Sequence, residues 1–297
     1  MTPPDEPTND AATTNDAART NDAAPTNDAA PDPTATSPDA APDRTSAPPP
    51  DDDDPDRDGV PSDERPSLPP ALPPRFALPL VVAVTVVVGL ALRYAFHADR
   101  AGEWSMHIVL LAVYAPLAVL AIFFILKEGK AAALLRPRRG DLTFAALVGG
   151  LMYGVAMAGR QLFLGAGTPR SWWVARIYLQ LGDMSNNRIL YVGLAVLLIA
   201  MLEELVWRGL VMRVLRAPFG PARAWLLSSV LYAVAHVGTI SLLAHPVAGP
   251  NPLLVAAALG CGLVWGHLVN RTGRLVPSIL AHGLFSWAIV DFPLWRP

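Results

Sequence analysis

This sequence predicts an all-α fold: a polytopic transmembrane helix bundle of about seven to eight spans, preceded by a disordered N-terminal tail. Three observations carry that expectation. Of the 297 residues, 52% are hydrophobic and only 16% are charged. The apolar residues gather in stretches of membrane-crossing length, and the charges divide unevenly along the chain. Residues 1–74 hold 17 acidic and 4 basic side chains, whereas residues 75–297 hold 8 acidic and 19 basic. The formal net charge of -2 therefore conceals one segment at -13 and another at +11, two polymers of different kinds.

The first segment, 1–74, repeats TNDAA from Thr8, Thr14, Thr20 and Thr26 and continues through Pro-rich sequence into DDDDPDRD. With almost no large apolar residues and a strong negative charge it has no core to bury, so it is expected to be disordered. A period of six this polar matches no solenoid. No basic start leads directly into an apolar stretch, so a signal peptide is not expected. The segment reads as a solvated spacer, with a docking tail as the alternative.

The second segment, 75–297, reads as the membrane domain. A helix needs about 17 to 25 apolar residues to cross the hydrocarbon. Stretches of that kind lie near 78–96, 107–126, 142–159, 189–214, 224–244, 252–270 and 275–293. An eighth candidate, SWWVARIYLQL at 171–181, has paired tryptophans and Arg176, which fit an interfacial helix better than a span. The densest basic cluster, Lys127, Lys130, Arg136, Arg138 and Arg139, follows the second span and is expected in the cytoplasm. Alternation then places Arg213, Arg216, Arg223, Arg271 and Arg274 on that side, the tail with them, and the 245–251 loop outside. Arg160, Arg170, Arg176 and Arg188 fall on the predicted outer side, against the rule. An extra or re-entrant helix in 160–188 is one way to reconcile them. The partners expected are the bilayer and a membrane-associated peptide or protein, with no nucleic acid.

Within the apolar runs, MLEELVWRGL at 201–210 places Glu203, Glu204 and Arg208 in hydrocarbon. Each intramembrane charge costs about 2.5 to 3.5 kcal/mol on insertion scales, so the three require partners or a task. Counting at 1.5 Å per residue puts Glu203 about 18 Å from the end of its span, His236 at a similar depth, and His282 about 10 to 15 Å from the same face. Glu204 and Arg208 are four apart and are expected to pair, while Glu203, about 100° around, is free to face another helix. Both carboxylates simply serving Arg208 is the bland alternative. His267 reads as a packing residue, and His97, His107 and His245 fall at span ends, where an interfacial role suffices.

The lone Cys261 excludes an intramolecular disulfide and a cysteine metal cluster. Gly150 with Gly154, and Gly262 with Gly266, have small-xxx-small spacings that read as close helix packing.

The segments EELVWRG at 203–209, YAVAH at 232–236 and HGLFS at 282–286 resemble the ordered motifs EExxxR, FxxxH and HxxxN of the CAAX-processing and bacteriocin-processing intramembrane proteases, the CPBP or Abi group. NRTGRLVPSILAHG at 270–283 adds to the likeness, which covers about 140–293, the protease-like core. Two positions depart from the pattern. Tyr232 stands for Phe, which keeps the ring and is expected to matter little. Ser286 stands for Asn and offers one donor where an amide offers two.

The resemblance implies CAAX-type hydrolysis of a peptide bond inside the membrane. Such chemistry needs an activated water, a proton acceptor and donors for the oxyanion. On this reading Glu203 acts as base, His236 shares the water and passes a proton to the leaving amine, and His282 with Ser286 faces the oxyanion. Glu204 and Arg208 complete the site. The same Glu203, His236 and His282 also make a His₂Glu zinc set with water in the fourth position, a metalloprotease wiring that stays open. No HExxH motif is present, so such a metal would be assembled from three separate helices. Because 21 of 23 basic residues are Arg, the composition points to a GC-rich bacterial genome and a plasma-membrane location. A membrane peptide or protein is then the expected substrate rather than a prenylated tail. A non-catalytic binding or immunity protein on the same scaffold is the rival, with a transporter third, since Gly/Pro-interrupted repeats are not evident.

Overall fold

The computed structural model describes residues 74–165, 167–182 and 188–294. The expectations made for the tail lie outside them. The chain runs through α1 (Pro74–Ala95), α2 (Trp104–Lys127), α3 (Ala131–Leu135), α4 (Asp141–Phe163), α5 (Ser171–Leu181) and α6 (Arg188–Glu204). A π-helical segment, Leu205–Val211, joins α6 to α7 (Met212–Phe219). There follow α8 (Pro221–Ala235), α9 (Thr239–Leu242), α10 (Leu253–Thr272) and α11 (Val276–Asp291). The described residues form no strand, only an isolated bridge between His245 and Gly249, so the all-α expectation holds.

Among the described residues, six helices are long and apolar enough to cross a membrane: Arg75–Ala95, Trp104–Lys127, Asp141–Phe163, Arg188–Phe219, Pro221–Leu242 and Leu253–Thr272. The seventh expected span, α11, is apolar but only 16 residues long, about 24 Å at 1.5 Å per residue against a hydrocarbon core of about 30 Å. It is wedged between α4 and α6, and close approach makes the wedge possible. A Cβ on Gly149 of α4 would stand 3.1 Å from the Ala281 carbonyl oxygen, and one on Gly193 of α6 would stand 3.2 Å from Trp287. On α11 itself, Gly283 faces Met201 of α6 at 3.2 Å in the same sense.

The two ends of the bundle are tied differently. At the basic end, Arg274 donates Nη1 to Asp141 Oδ1 at 2.9 Å, pairs through Nη2 with Asp141 Oδ2, and also donates Nη2 to the Arg136 carbonyl at 3.0 Å. Leu275 N–H donates to the Leu134 carbonyl at 3.0 Å, and Arg213 pairs with Glu128. The basic residues after α2, at the start of α7 and at 271–274 thus share one end, as their alternation requires. At the other end α5, eleven residues long and too short to span, is bound to the loops. Gln180 donates Nε2 to the Ala95 carbonyl at 2.8 Å, and Asn251 donates Nδ2 to the Trp173 carbonyl at 2.9 Å. Tyr178, outside the long helices, donates its hydroxyl to the Ile289 carbonyl at 2.7 Å and accepts from Leu294 N–H at 2.8 Å. Burial pushes its phenol up to about 12, which keeps it a donor. This contact fixes the far end of α11.

The two glycine pairs separate. Gly262 and Gly266 pack α10 onto α8: a Cβ on Gly262 would lie 3.3 Å from Ser229 Cα, and one on Gly266 would lie 3.0 Å from Ser229 Oγ. Gly150 and Gly154 of α4 meet nothing within 4 Å, which corrects the packing expectation for them. The reason is angular. Gly149 occupies the α4 face against α11, and its neighbour Gly150 turns outward with Leu147 and Leu151, which are 68% and 69% exposed. Gly262→Leu should therefore lower the melting temperature in detergent, by an overpacking cost of about 1–3 kcal/mol, while Gly154→Leu leaves it within error. Equal melting temperatures for the two variants would remove Gly262 from the packed interface.

Candidate active site

The EELVWRG motif straddles a change of helix type. The α6 helix ends at Glu204, and the next seven residues are π-helical. Met212 N–H reaches back five residues to the Trp207 carbonyl, which also accepts from Ser228 Oγ of α8 at 2.8 Å. Such segments are rare and recur at functional sites, because the wider turn re-aims side chains. Here it carries Arg208 inward, 1% exposed and next to Trp207 at 0%.

Arg208 is partnered on three sides. Its Nη1 donates to Glu204 Oε1 at 2.7 Å, with both side chains fully buried. Its Nη2 donates to the Gly262 carbonyl of α10 at 3.0 Å, and its guanidinium lies 5.1 Å from the centre of the Tyr232 ring, a cation–π distance. The expected pairing of Glu204 with Arg208 is therefore formed. Glu204 does more than that, since its Oε1 also receives His282 Nδ1 of α11 at 3.0 Å. A carboxylate offers no proton, so Nδ1 carries the hydrogen and Nε2 points onward. Nε2 lies 3.9 Å from Glu203 Oε2, beyond direct bonding distance. Trp265 stacks on the His282 ring, with centroids 5.6 Å apart and planes 27° apart.

Glu203 is 7% exposed and accepts the Tyr232 hydroxyl on Oε2 at 2.7 Å. Tyr232 also holds His236. The α8 helix tightens at its end, where His236 N–H bonds to the Ala233 carbonyl. That releases the Tyr232 carbonyl to take His236 Nδ1 at 2.8 Å. This bond gives Nδ1 the proton and leaves Nε2 of the neutral ring as an acceptor. The two rings stand 4.7 Å apart, edge to face.

The residues expected to converge thus do so: Glu203, Glu204, Arg208 and His282 are linked directly or face to face, and His236 joins through Tyr232. Ser286 lies one turn beyond His282 on α11, half-buried, and is not drawn into these contacts. The reading of Tyr232 as an inconsequential ring is corrected, because its hydroxyl holds a Glu203 oxygen. The signal was in the sequence, in the one oxygen by which Tyr differs from Phe. Trp265 left no such trace, since it belongs to no motif, and the spacing of Gly262 with Gly266 signalled helix packing but not that the Gly262 carbonyl takes Arg208. His107, expected at an interface, is 2% exposed because α2 begins at Trp104 and turns it inward. Among the described residues no three His, Cys, Asp or Glu side chains are grouped to hold a metal ion. The protein partners of the two histidine Nδ1 atoms and of Glu203 Oε2 leave Nε2 of each ring and the second Glu203 oxygen as the atoms that would face a metal. The metal wiring stays an alternative, and no step below passes through it.

A family model described as type II CAAX prenyl endopeptidase Rce1-like matches residues 185–288, about a third of the chain and the part that holds all three motifs. No match is found among curated proteins or among solved structures. Together with the six long apolar helices, the family match supports an integral membrane protein.

Breaking a buried ion pair by removing one partner costs about 3–5 kcal/mol, because the other charge is left uncompensated. Arg208→Met should accordingly lose most folded protein in detergent, while the double variant Arg208→Met/Glu204→Gln recovers a substantial part of the melting temperature. Equal loss in the single and double variants would show that Arg208 acts through packing alone.

Proposed function

We propose that this chain, whose residues 185–288 support a CPBP-family intramembrane protease, hydrolyses a peptide bond in a membrane-associated peptide or protein. One observation carries the reading: two buried carboxylates stand side by side, and only one of them is needed to balance Arg208. Glu204 takes the guanidinium. Glu203, buried with it, is held by a tyrosine hydroxyl and faces an imidazole. A second acid kept in an apolar bundle without a cation of its own is a functional group by default.

The chemistry follows from the protonation sites. Glu203 accepts a proton from water as the water oxygen bonds to the scissile carbonyl carbon, and the carbonyl oxygen takes the negative charge. His236 offers Nε2 to the same water and orients it. His282, held through Nδ1 by Glu204, presents Nε2 toward Glu203. When the ring is protonated, Nε2–H donates to the oxyanion, with Ser286 one turn away on the same face of α11. Collapse of the tetrahedral species breaks the C–N bond, and the leaving nitrogen receives the proton by way of His236. The Glu204–His282 bond orients the histidine as a buried carboxylate does in a catalytic triad.

The basic end of the bundle supports a cytoplasmic placement of that face, with the tail on the same side, in a bacterial plasma membrane. Purified protein in detergent, incubated with a peptide library, should yield products that Glu203→Gln does not, with that variant still folded. Hydrolysis retained in Glu203→Gln would remove the assigned base. Folded wild type without any product would favour a non-catalytic binder, the reading that Ser286 in place of Asn allows.

Ser286 also makes a graded prediction. An oxyanion donor acts only in the transition state and so changes turnover rather than affinity. A good donor is worth about 10² to 10³ in rate, and a serine that already donates leaves part of that to gain. Ser286→Asn should raise kcat with KM little changed and Ser286→Ala should lower it, whereas three equal values of kcat would place Ser286 outside the site.

A further inference from the structure

We propose that Tyr232 is a positioning residue that couples Glu203 to His236, through its hydroxyl on the one side and its backbone carbonyl on the other. The inference rests on the peptidase reading for its role in turnover but not for the contacts themselves.

The two links differ in origin. The carbonyl link needs only a helix that ends four residues later, because any residue at 232 supplies the oxygen that His236 Nδ1 reaches at 2.8 Å. An aromatic residue and a histidine at i and i+4 on one helix end satisfy it whether the ring is Phe or Tyr. The hydroxyl link belongs to Tyr alone. It meets Glu203 Oε2 at 2.7 Å, a charge-assisted distance, and His282 Nε2, at 3.9 Å, is too far away to replace it. With Phe at 232, Glu203 would lose that hydrogen bond. With Tyr, its Oε2 is pinned.

The hydroxyl itself cannot swing. Tyr232 is 4% exposed. Its ring is enclosed by the Arg208 guanidinium at 5.1 Å, by Trp207 at 5.4 Å and by His236 at 4.7 Å. The ring that touches Arg208 thus carries the hydroxyl that holds Glu203. A positioned group held by packing and by a further hydrogen bond is what precise proton transfer demands.

The test needs one readout that does not depend on proteolysis and one that does. A tyrosine with an isotopically labelled ring, placed at position 232 alone in the full chain, reports through its ring vibrations whether its hydroxyl donates to a carboxylate or to a neutral group. The Glu203→Gln variant should move that band toward the position of a neutral acceptor, and Ser286→Ala, which leaves the buried ion pair intact, should leave it in place. A band unmoved by Glu203→Gln would overturn the proposal. So would one moved equally by both variants. In kinetics on a peptide that the wild type cleaves, Tyr232→Phe should lower kcat at least about fivefold with KM within about twofold. Unchanged kcat in folded Tyr232→Phe would overturn the positioning role. If that variant does not fold, Tyr232→fluorotyrosine, which keeps ring and hydroxyl, should retain turnover, and its loss would equally overturn the role. A band that responds to Glu203→Gln in a wild type that cleaves nothing supports the coupling and defeats the peptidase reading alone.

Discussion

The buried ion pair between Arg208 and Glu204 is the interaction on which the rest of the structure depends. Both side chains are fully enclosed, so neither charge is stabilised by solvent and each needs the other. The pair then recruits its surroundings. Arg208 reaches the Gly262 carbonyl on α10, and Glu204 reaches His282 on α11. One salt bridge within a single helix thereby ties three helices together at the level of the site. The close approach of α10 to α8 at Gly262 and Ser229 follows the same logic, because Ser229 Oγ donates to the very carbonyl that Arg208 uses, at 2.7 Å.

Around that pair the backbone departs from regular geometry twice, and each departure serves a polar group. The π-helical turn at Leu205–Val211 brings Arg208 inward and shows the Trp207 carbonyl to Ser228. The tightened end of α8 frees the Tyr232 carbonyl for His236. In an apolar bundle every backbone group must find a partner inside the protein, so such irregularities persist only where side chains complete them. Both occur at the motifs and nowhere in α10, which runs unbroken from Leu253 to Thr272.

The short α11 solves a placement problem. A helix of 16 residues does not cover the hydrocarbon alone, and glycines at 149, 193 and 283 let α4 and α6 close on it. Arg274 anchors one end to Asp141, and Tyr178 anchors the other through Ile289. With both ends held, His282 sits at a fixed height between the two glutamates.

The sequence by itself determined the helical class, the six long helices, the interfacial length of α5, and the pairing of Glu204 with Arg208, whereas it took α11 for a full span. Length, apolarity and i,i+4 spacing are local properties, and counting residues at a constant rise was enough to bring Glu203, His236 and His282 to one depth. Only the tertiary structure decided how Gly262 and Gly150 differ, that Glu204 serves His282 as well as Arg208, and that the Tyr232 hydroxyl holds Glu203. These depend on the rotation of each helix about its axis and on which carbonyls its ends release. A residue count gives the height of a side chain along a helix but not the direction it faces, and hydrogen bonds of 2.7–3.0 Å between helices require both.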